Sequence, residues 1–410
     1  MSTTKNAAPA WLESLQAIAQ RRSKDWIEFR RYLHQHPELS GKEVQTTLTL
    51  NQRLANKELP TRVCSDGRGL TADLVTDPAF ANVAKIAIRG DIDALPIMDE
   101  KVVPYRSSVP GVMHACGHDV HATAVVGAIE LLAEMHRSGT LPWPIAARAI
   151  LQPAEETCEG ASHMIHNHAL AGVDSILALH VDPTRQVGCI GLREGILTAS
   201  CDLFEVVFVG TGGHGARPHL CTDPIEAAAV WIQSAYRRVG RTIDAHETVV
   251  LSIGQIQAGH SANVIPDSAT IRGTMRSLSP EGRRELLELL EDVGESAHRE
   301  TGCKVRLKLG MSAPAVVNAS PLIRLLHEGA AHVLNPAAVE WIPLPSMGSE
   351  DFSYYLEHVP GAMFRLGVAG GQVGSAPLHT GGFDIDEQAI ECAVKLFAGA
   401  IIQHFDPEQR

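Results

Sequence analysis

Lys85–Asp93, KIAIRGDID, is the stretch whose neighbours decide the fold. Its alternating apolar start reads as a strand, and it runs straight into Gly90, Asp91, Ile92 and Asp93. Val120–Met135, VHATAVVGAIELLAEM, follows with helical periodicity. Ile145–Leu151, IAARAIL, is a second strand and leads into Gln152-Pro153-Ala154-Glu155-Glu156. Ser175–Val181, SILALHV, is a third, with His180 near its end. Strands that alternate with helices predict an α/β fold with a mostly parallel sheet. Such sheets place their chemistry in the loops beyond the carboxyl ends of the strands, where these polar residues fall.

Outward from this block, residues 9–36 read as a helix carrying Trp11, Leu15, Ile18, Ile27 and Leu33, ended by Pro37. A second helix is expected from Glu43 to Leu54. From about Ser200 the texture changes. Asp202–Gly210 reads as a strand, Pro224–Val239 as a helix, and Thr248–Ile256 and Ala269–Arg276 as strands. Glu281–His298 reads as an amphipathic helix and Lys304–Leu309 as a closing strand. The order βαββαβ predicts an α+β, ferredoxin-like two-layer domain inserted into the first one. The alternative is a continuation of the first sheet. After Pro314 the first pattern returns, with a helix at Pro321–Val333, a strand at Ala362–Val368 and a final helix from Asp386 to about His404. The expected organisation is a split catalytic domain, 1–199 and 313–410, around an inserted domain, 200–312.

The chain has 410 residues, 45% hydrophobic and 20% charged, values ordinary for a globular protein and too long for a single core. A net charge of −12 opposes nucleic acid as a partner, because no basic excess exists to neutralise phosphates. Eight scattered cysteines without paired spacing predict reduced thiols rather than a disulfide framework. The start, MSTTKNAAPAWLESLQ, has no apolar core of signal-peptide length, and no window reaches the length of a membrane span. A cytoplasmic protein with no membrane association is the expectation.

The densest chemistry lies at residues 114–123, HACGHDVHAT, where His114, Cys116, His118, Asp119 and His121 fall within eight positions. Thiolate, imidazole and carboxylate are the donors of borderline-soft divalent metals. The same residues could also be satisfied side chains of a core. Glu155 and Glu156 are adjacent acids on a loop and point in different directions. One could hold a metal while the other acts as a base, or the pair could be a solvated turn. His180 ends an apolar strand, and His379 follows the glycine-rich segment Gly370-Gly371-Gln372. Either could be a ligand or a structural histidine. Asp91 and Asp93 could orient a metal-bound imidazole or cap a turn. In the inserted region, GTGGHGARPH holds His214 on a glycine-rich loop that lacks the lysine of a phosphate loop. Arg276, in RGTMR, could grip a carboxylate or face solvent. Glu350 and Asp351 form a further acidic turn of open purpose.

Taken in order, these strings resemble the metal-dependent aminoacylase and carboxypeptidase family, and within it the hippurate hydrolase and auxin-conjugate (IAA-amino acid) amidohydrolase branch. The resemblance runs through RRYLHQHPELSGKE (Arg30–Glu43), RGDIDALPI, HACGHDVHAT, LQPAEE, LHV, GTGGHGARPH, SANVIPD, RGTMRS, GSEDFSYY and PLHT. It implies a zinc-peptidase-type catalytic domain with a dimerisation and lid domain inserted, and a homodimer formed through that insert. It implies two divalent ions per subunit, Zn2+ or Mn2+, with Ni2+ or Co2+ also suited to the ligand set. Cys116 would bridge them, with His118 and His180 on one ion and Glu156 and His379 on the other. Glu155 would be the general base and Asp93 the acid behind the metal. His214 would reach the neighbouring subunit's site, and Asn263 and Arg276 would hold the substrate's α-carboxylate. The implied substrate is a small N-acyl amino acid. A metallo-dipeptidase or carboxypeptidase on the same scaffold is the alternative. One departure is Thr157-Cys158-Glu159-Gly160-Ala161-Ser162, where the branch has a glycine-rich turn.

Overall fold

KIAIRGD forms the strand Lys85–Asp91, buried at every residue but the first. It has no exposed face because parallel strands are covered on both sides. The computed structural model describes residues 10–371 and 373–408. Pro9 of the first expected helix, most of the leading MSTTKNAAPA segment and Gln372 therefore lie outside the described residues. Two units divide the chain. One comprises Met1–Gly195, Val317–Pro343 and Tyr354–Arg410, and the other Ile196–Val316 and Leu344–Ser353.

Among the described residues, the first unit holds an eight-stranded sheet. Its order is Thr61–Val63, Leu70–Val75, Ala146–Gln152, Lys85–Asp91, Val173–Gln186, Gly361–Ala369, Ile190–Leu192 and Val339–Trp341. The four central strands are parallel to one another. Antiparallel pairing flanks them on both sides. The helix His118–Arg137 packs on this sheet and against the helices Ala10–Gln35 and Gln388–His404. It is buried almost all round, which explains why its apolar run is so broad. Each fully buried Val, Leu or Ile here contributes about 1.5–3 kcal/mol relative to exposure.

In the second unit, strands and helices follow the order strand, helix, strand, strand, helix, strand. The four-stranded antiparallel sheet runs Val249–Ala258, Ser268–Ser277, Ser200–Val209, Lys304–Ala313. The helices Pro224–Thr242 and Pro280–Thr301 begin on Asp223 and Ser279, whose side chains accept from Ile225 N–H and Gly282 N–H. Proline follows each cap, where its missing N–H costs nothing. Alternate residues of Ser200–Val209 face these helices, so Phe204, Val206 and Phe208 meet Trp231, Leu286 and Leu290.

Several boundaries differ from the sequence expectations. Residues 344–353 group with Ile196–Val316 in the second unit, and the changes of unit fall at 195/196 and 316/317. The helix after HACG starts at His118, two residues before the apolar periodicity does. The strand of His180 continues to Gln186, because Ala369 keeps pairing there after Lys85–Asp91 has left its other edge at Ala178. All eight cysteines are free. Among the described residues no helix is long and apolar enough to cross a membrane.

Candidate metal centre

Gly117 separates Cys116 from His118 and caps the helix His118–Arg137 in a left-handed conformation, φ 82°. A Cβ there would fall 2.6 Å from Val181 Cγ2, so only glycine fits. The turn leaves Cys116 ahead of the helix and puts His118 in its first turn. His118 Nδ1 lies 3.0 Å from both the backbone oxygen and Oδ1 of Asp93. In its neutral form, with the Nδ1 proton donated to Asp93, His118 presents the lone pair of Nε2. Burial opposes charge on His118, but Asp91 and Asp93 outweigh it and hold its pKa well above the ordinary value.

Cys116 Sγ lies 3.4 Å from His180 Nε2 and 3.3 Å from His379 Nε2. His379 Nε2 is 3.4 Å from Glu156 Oε1, and His118 Nε2 is 3.9 Å from both Glu156 Oε1 and Glu155 Oε2. The donor atoms of Cys116, His118 and His180 form one group within 4.8 Å, and those of Cys116, Glu156 and His379 form a second. His118, Glu155 and Glu156 form a third. Residues from one end of the parallel sheet thus converge on a single thiol.

Electrostatics sorts the histidines. Burial and Arg365 hold His180 well below the usual imidazole value, so it is neutral with a free lone pair on Nε2, while Nδ1 meets the Val181 carbonyl at 2.8 Å. His379 is half-exposed and has left-handed backbone, φ 60°. Hydrogen bonds to Cys116 and then Glu156 push it up to about 10. A proton and a metal ion compete for such a nitrogen.

The other members of HACGHDVHAT are used differently. His121 Nε2 accepts the Val181 N–H at 3.0 Å, so its proton sits on Nδ1 and goes to Asp91 Oδ1 at 2.6 Å. Both its nitrogens are spent within the fold. Asp119 sits 2.7 Å from Arg30 Nε and 2.7 Å from His34 Nδ1, fully buried. Burial raises its pKa, but Arg30 and His34 outweigh this and hold it far below the carboxylate range. His114 is buried with neither nitrogen hydrogen-bonded, and burial pushes it down to about 4.

Asp93 joins two of the converging segments. While Oδ1 meets His118, Oδ2 accepts from Glu156 N–H at 3.1 Å and from Ser40 Oγ–H at 2.7 Å. One carboxylate therefore fixes an imidazole and the loop of the two glutamates together. Asp91 binds His121 and Arg89 instead, and stands 3.8 Å from His118 Nε2.

His214, Asn263 and Arg276 belong to the second unit. His214 pairs with Val264 in a two-residue ladder, beside Asn263, whose carbonyl accepts from Gly215 N–H at 2.9 Å. Both side chains are exposed. His214 Nδ1 accepts from Ala216 N–H at 3.1 Å, leaving Nε2 to carry a proton. Arg276 is half-buried and donates to the Met347 carbonyl at 2.7 Å. It stands apart from the His214 ladder, on the strand Ser268–Ser277.

The donor set suits divalent cations. His118 Nε2 is buried yet has no hydrogen-bond partner, a costly state unless something else engages it. Separations of 3.3–3.9 Å among sulfur, imidazole and carboxylate atoms fit ligands gathered around small ions with bonds of about 2.0–2.3 Å. Arg30 and His34, in the quoted RRYLHQHPE string, both meet the buried Asp119. A buried basic pair four apart on one helical face was the available signal of this contact.

Residues 87–403 match the sequence profile of peptidase family M20/M25/M40. The chain belongs to that family and is a hydrolase. It is 37% identical over 367 residues to the N-acetyl-L-cysteine deacetylase of Bacillus subtilis, covering 90% of this chain and 85% of that one. It is 32% identical over 389 residues to the IAA-amino acid hydrolase ILR1-like 2 of Arabidopsis thaliana, covering 93% and 85%. The crystal structure of the Bacillus subtilis YXEP protein, described as a dinuclear metal binding peptidase from M20 family, superimposes with a TM-score of 0.78 at 32% identity. It covers 95% of this chain and 99% of that one.

Proposed function

We propose that the protein is a metal-dependent amidohydrolase that cleaves N-acyl amino acids to a carboxylic acid and a free amino acid. The observation that carries this reading is the pair of three-donor groups sharing Cys116, with Glu155 beside them. Relatives named for deacetylation of N-acetylcysteine and for hydrolysis of IAA-amino acids support the substrate class.

Cys116 would bridge two cations, Zn2+ or Mn2+, with Ni2+ and Co2+ also compatible. His118 and His180 would complete one site, and Glu156 and His379 the other. Bound there, the cations supply Lewis acidity that brings hydroxide within reach near neutral pH. Glu155 takes the proton of the attacking water and returns it to the leaving amine. Asp93 keeps His118 in the tautomer that presents Nε2. His214, with its proton on Nε2, would serve the oxyanion in the neighbouring subunit of a homodimer formed through the inserted unit. The family resemblance assigns Asn263 and Arg276 to the substrate's α-carboxylate, so that orientation comes from binding. The unbridged cysteines favour a cytoplasmic setting.

A metallo-dipeptidase or carboxypeptidase is the second reading. It is favoured by the peptidase description of the YXEP protein and by 32% identity to the thermostable carboxypeptidase 1 of Saccharolobus solfataricus. A panel of N-acetyl amino acids, N-benzoyl amino acids and dipeptides, run on metal-stripped protein resupplied with each ion, separates the two. Preferential turnover of the acyl amino acids is expected. Turnover of dipeptides alone would overturn the first reading.

A further inference from the structure

The string HPELSGKE carries no part in the chemistry above, yet its last residue is a fully buried carboxylate at the start of the helix Val44–Ala55. Glu43 Oε1 accepts two backbone N–H groups, from Gly41 and from Ala154, each at 2.8 Å. Oε2 has no hydrogen-bond partner. The second contact spans 111 positions and ends one residue before Glu155.

Ala154 needs holding. Its φ is 52°, the left-handed region that costs a non-glycine residue about 1–3 kcal/mol and persists only when its surroundings enforce it. The residue is the pivot of a tight loop, since its carbonyl accepts from Gly160 N–H at 3.0 Å and Glu159 N–H at 3.3 Å. Closure of that loop depends on Gly160, where a Cβ would meet the Pro153 oxygen at 1.6 Å. Within it, Glu156 N–H is tied to Asp93, and Asp93 is tied to Ser40. The loop of the two glutamates is therefore fixed at two points, and both fixings involve the Ser40–Glu43 segment.

We propose that Glu43 is a positioning residue. Its carboxylate holds the Ala154 amide in the left-handed conformation, and this sets the direction of Glu155 and Glu156. The inference rests on the metal and base roles proposed for those two residues. It deepens that reading by placing part of the reaction's geometry in a segment that supplies neither a proposed metal ligand nor the proposed base. What the contact requires is one acceptor oxygen at the right reach. Charge is not required, because a single oxygen receives both N–H groups.

The test uses the full-length protein, metal-stripped, with Zn2+ affinity read by chelator competition. Thermal melts and the separate kcat and KM for an N-acetyl amino acid accompany it. Glu43→Ala is expected to raise the Zn2+ Kd and lower kcat by about 10–100-fold, the usual loss for a group behind a metal ligand, with KM little changed. Glu43→Gln keeps the acceptor oxygen and is expected to restore both. Glu43→Asp keeps the charge but falls short by a methylene, so it should behave like Glu43→Ala. It carries the test if the alanine variant does not fold. Ala154→Gly takes up positive φ freely, and in the Glu43→Ala background it should recover part of the lost kcat.

The proposal is overturned if Glu43→Ala melts earlier but binds Zn2+ and turns over as the wild type does. It is equally overturned if Glu43→Gln is as impaired as Glu43→Ala. Wild-type protein that hydrolyses no acyl amino acid, while Glu43→Ala still weakens Zn2+ binding, would sink the functional reading and leave Glu43 in its role.

Discussion

Cys116 Sγ stands 3.3 Å from His379 Nε2, although 263 positions of chain separate them. Hydrogen bonds to that sulfur and to Glu156 push His379 up to about 10. His180 approaches the same sulfur from the strand Val173–Gln186 at 3.4 Å. Protein loaded with Co2+ should show a thiolate-to-cobalt charge-transfer band in the near ultraviolet, and Cys116→Ser should abolish it. A band that survives in the variant would place the thiolate ligand elsewhere among the eight cysteines.

Glu155 is buried and has its Oε2 3.9 Å from His118 Nε2. As the general base, its loss should slow chemistry without emptying the site. Glu155→Gln is expected to retain wild-type metal content and melting temperature while kcat falls about 10²–10⁴-fold. Retained turnover, or a loss of metal that accounts for the loss of rate, would remove Glu155 from that role.

Asp93 serves His118 with one oxygen and Glu156 N–H with the other. Asp93→Asn keeps the shape but puts an N–H where one acceptor stood. Metal affinity should drop about 10–100-fold. The check is a Zn2+ competition titration, and an unchanged Kd would reduce Asp93 to a packing residue.

Arg30 and Asp119 are fully buried and 2.7 Å apart. Removing one partner of a buried pair strands the other, so Asp119→Asn should cost about 3–5 kcal/mol at pH 7, read by urea denaturation. The pH dependence follows from the direction of the shift. Asp119 is held far below an unfolded aspartate, which titrates near pH 3.9. Its stabilisation is complete above that value and is lost as the pH falls through the folded pKa. The gap between wild type and variant should stay constant from pH 7 to about pH 5 and narrow only in stronger acid. A gap that closes between pH 7 and 6 would remove Asp119 ionisation as its cause.

If His214 acts in a neighbouring subunit, inactive His214→Ala and inactive Glu155→Gln chains should complement one another when mixed. Subunit exchange in a homodimer then recovers part of the wild-type rate. A mixture that stays inactive after demonstrated exchange would confine His214 to its own chain.

The central strands were legible because burial on both faces leaves an uninterrupted apolar run, as in Ile176–Leu179. The caps Asp223 and Ser279, each followed by proline, come from the structure, which starts the second of these helices at Pro280. Thr61–Val63, Ile190–Leu192 and Val339–Trp341 were not legible, since three residues give no period to count. The ligand types in HACGHDVHAT were visible, but the division of labour was not. His118 and His121 share a helical face, and what turns His121 away from the sulfur is Asp91 on one strand and the Val181 N–H on another. Glu43 was hidden for the same reason. Its partner at Ala154 lies 111 positions away, and a left-handed alanine leaves no mark in a sequence.

Metal stoichiometry tests the shared-thiol arrangement most directly. Elemental analysis of purified, Zn2+-saturated protein should give two ions per chain for the wild type. For His379→Ala, which spares the Cys116–His118–His180 group, it should give one. A single ion in the wild type, or two retained in His379→Ala, would contradict a pair of cations joined at Cys116.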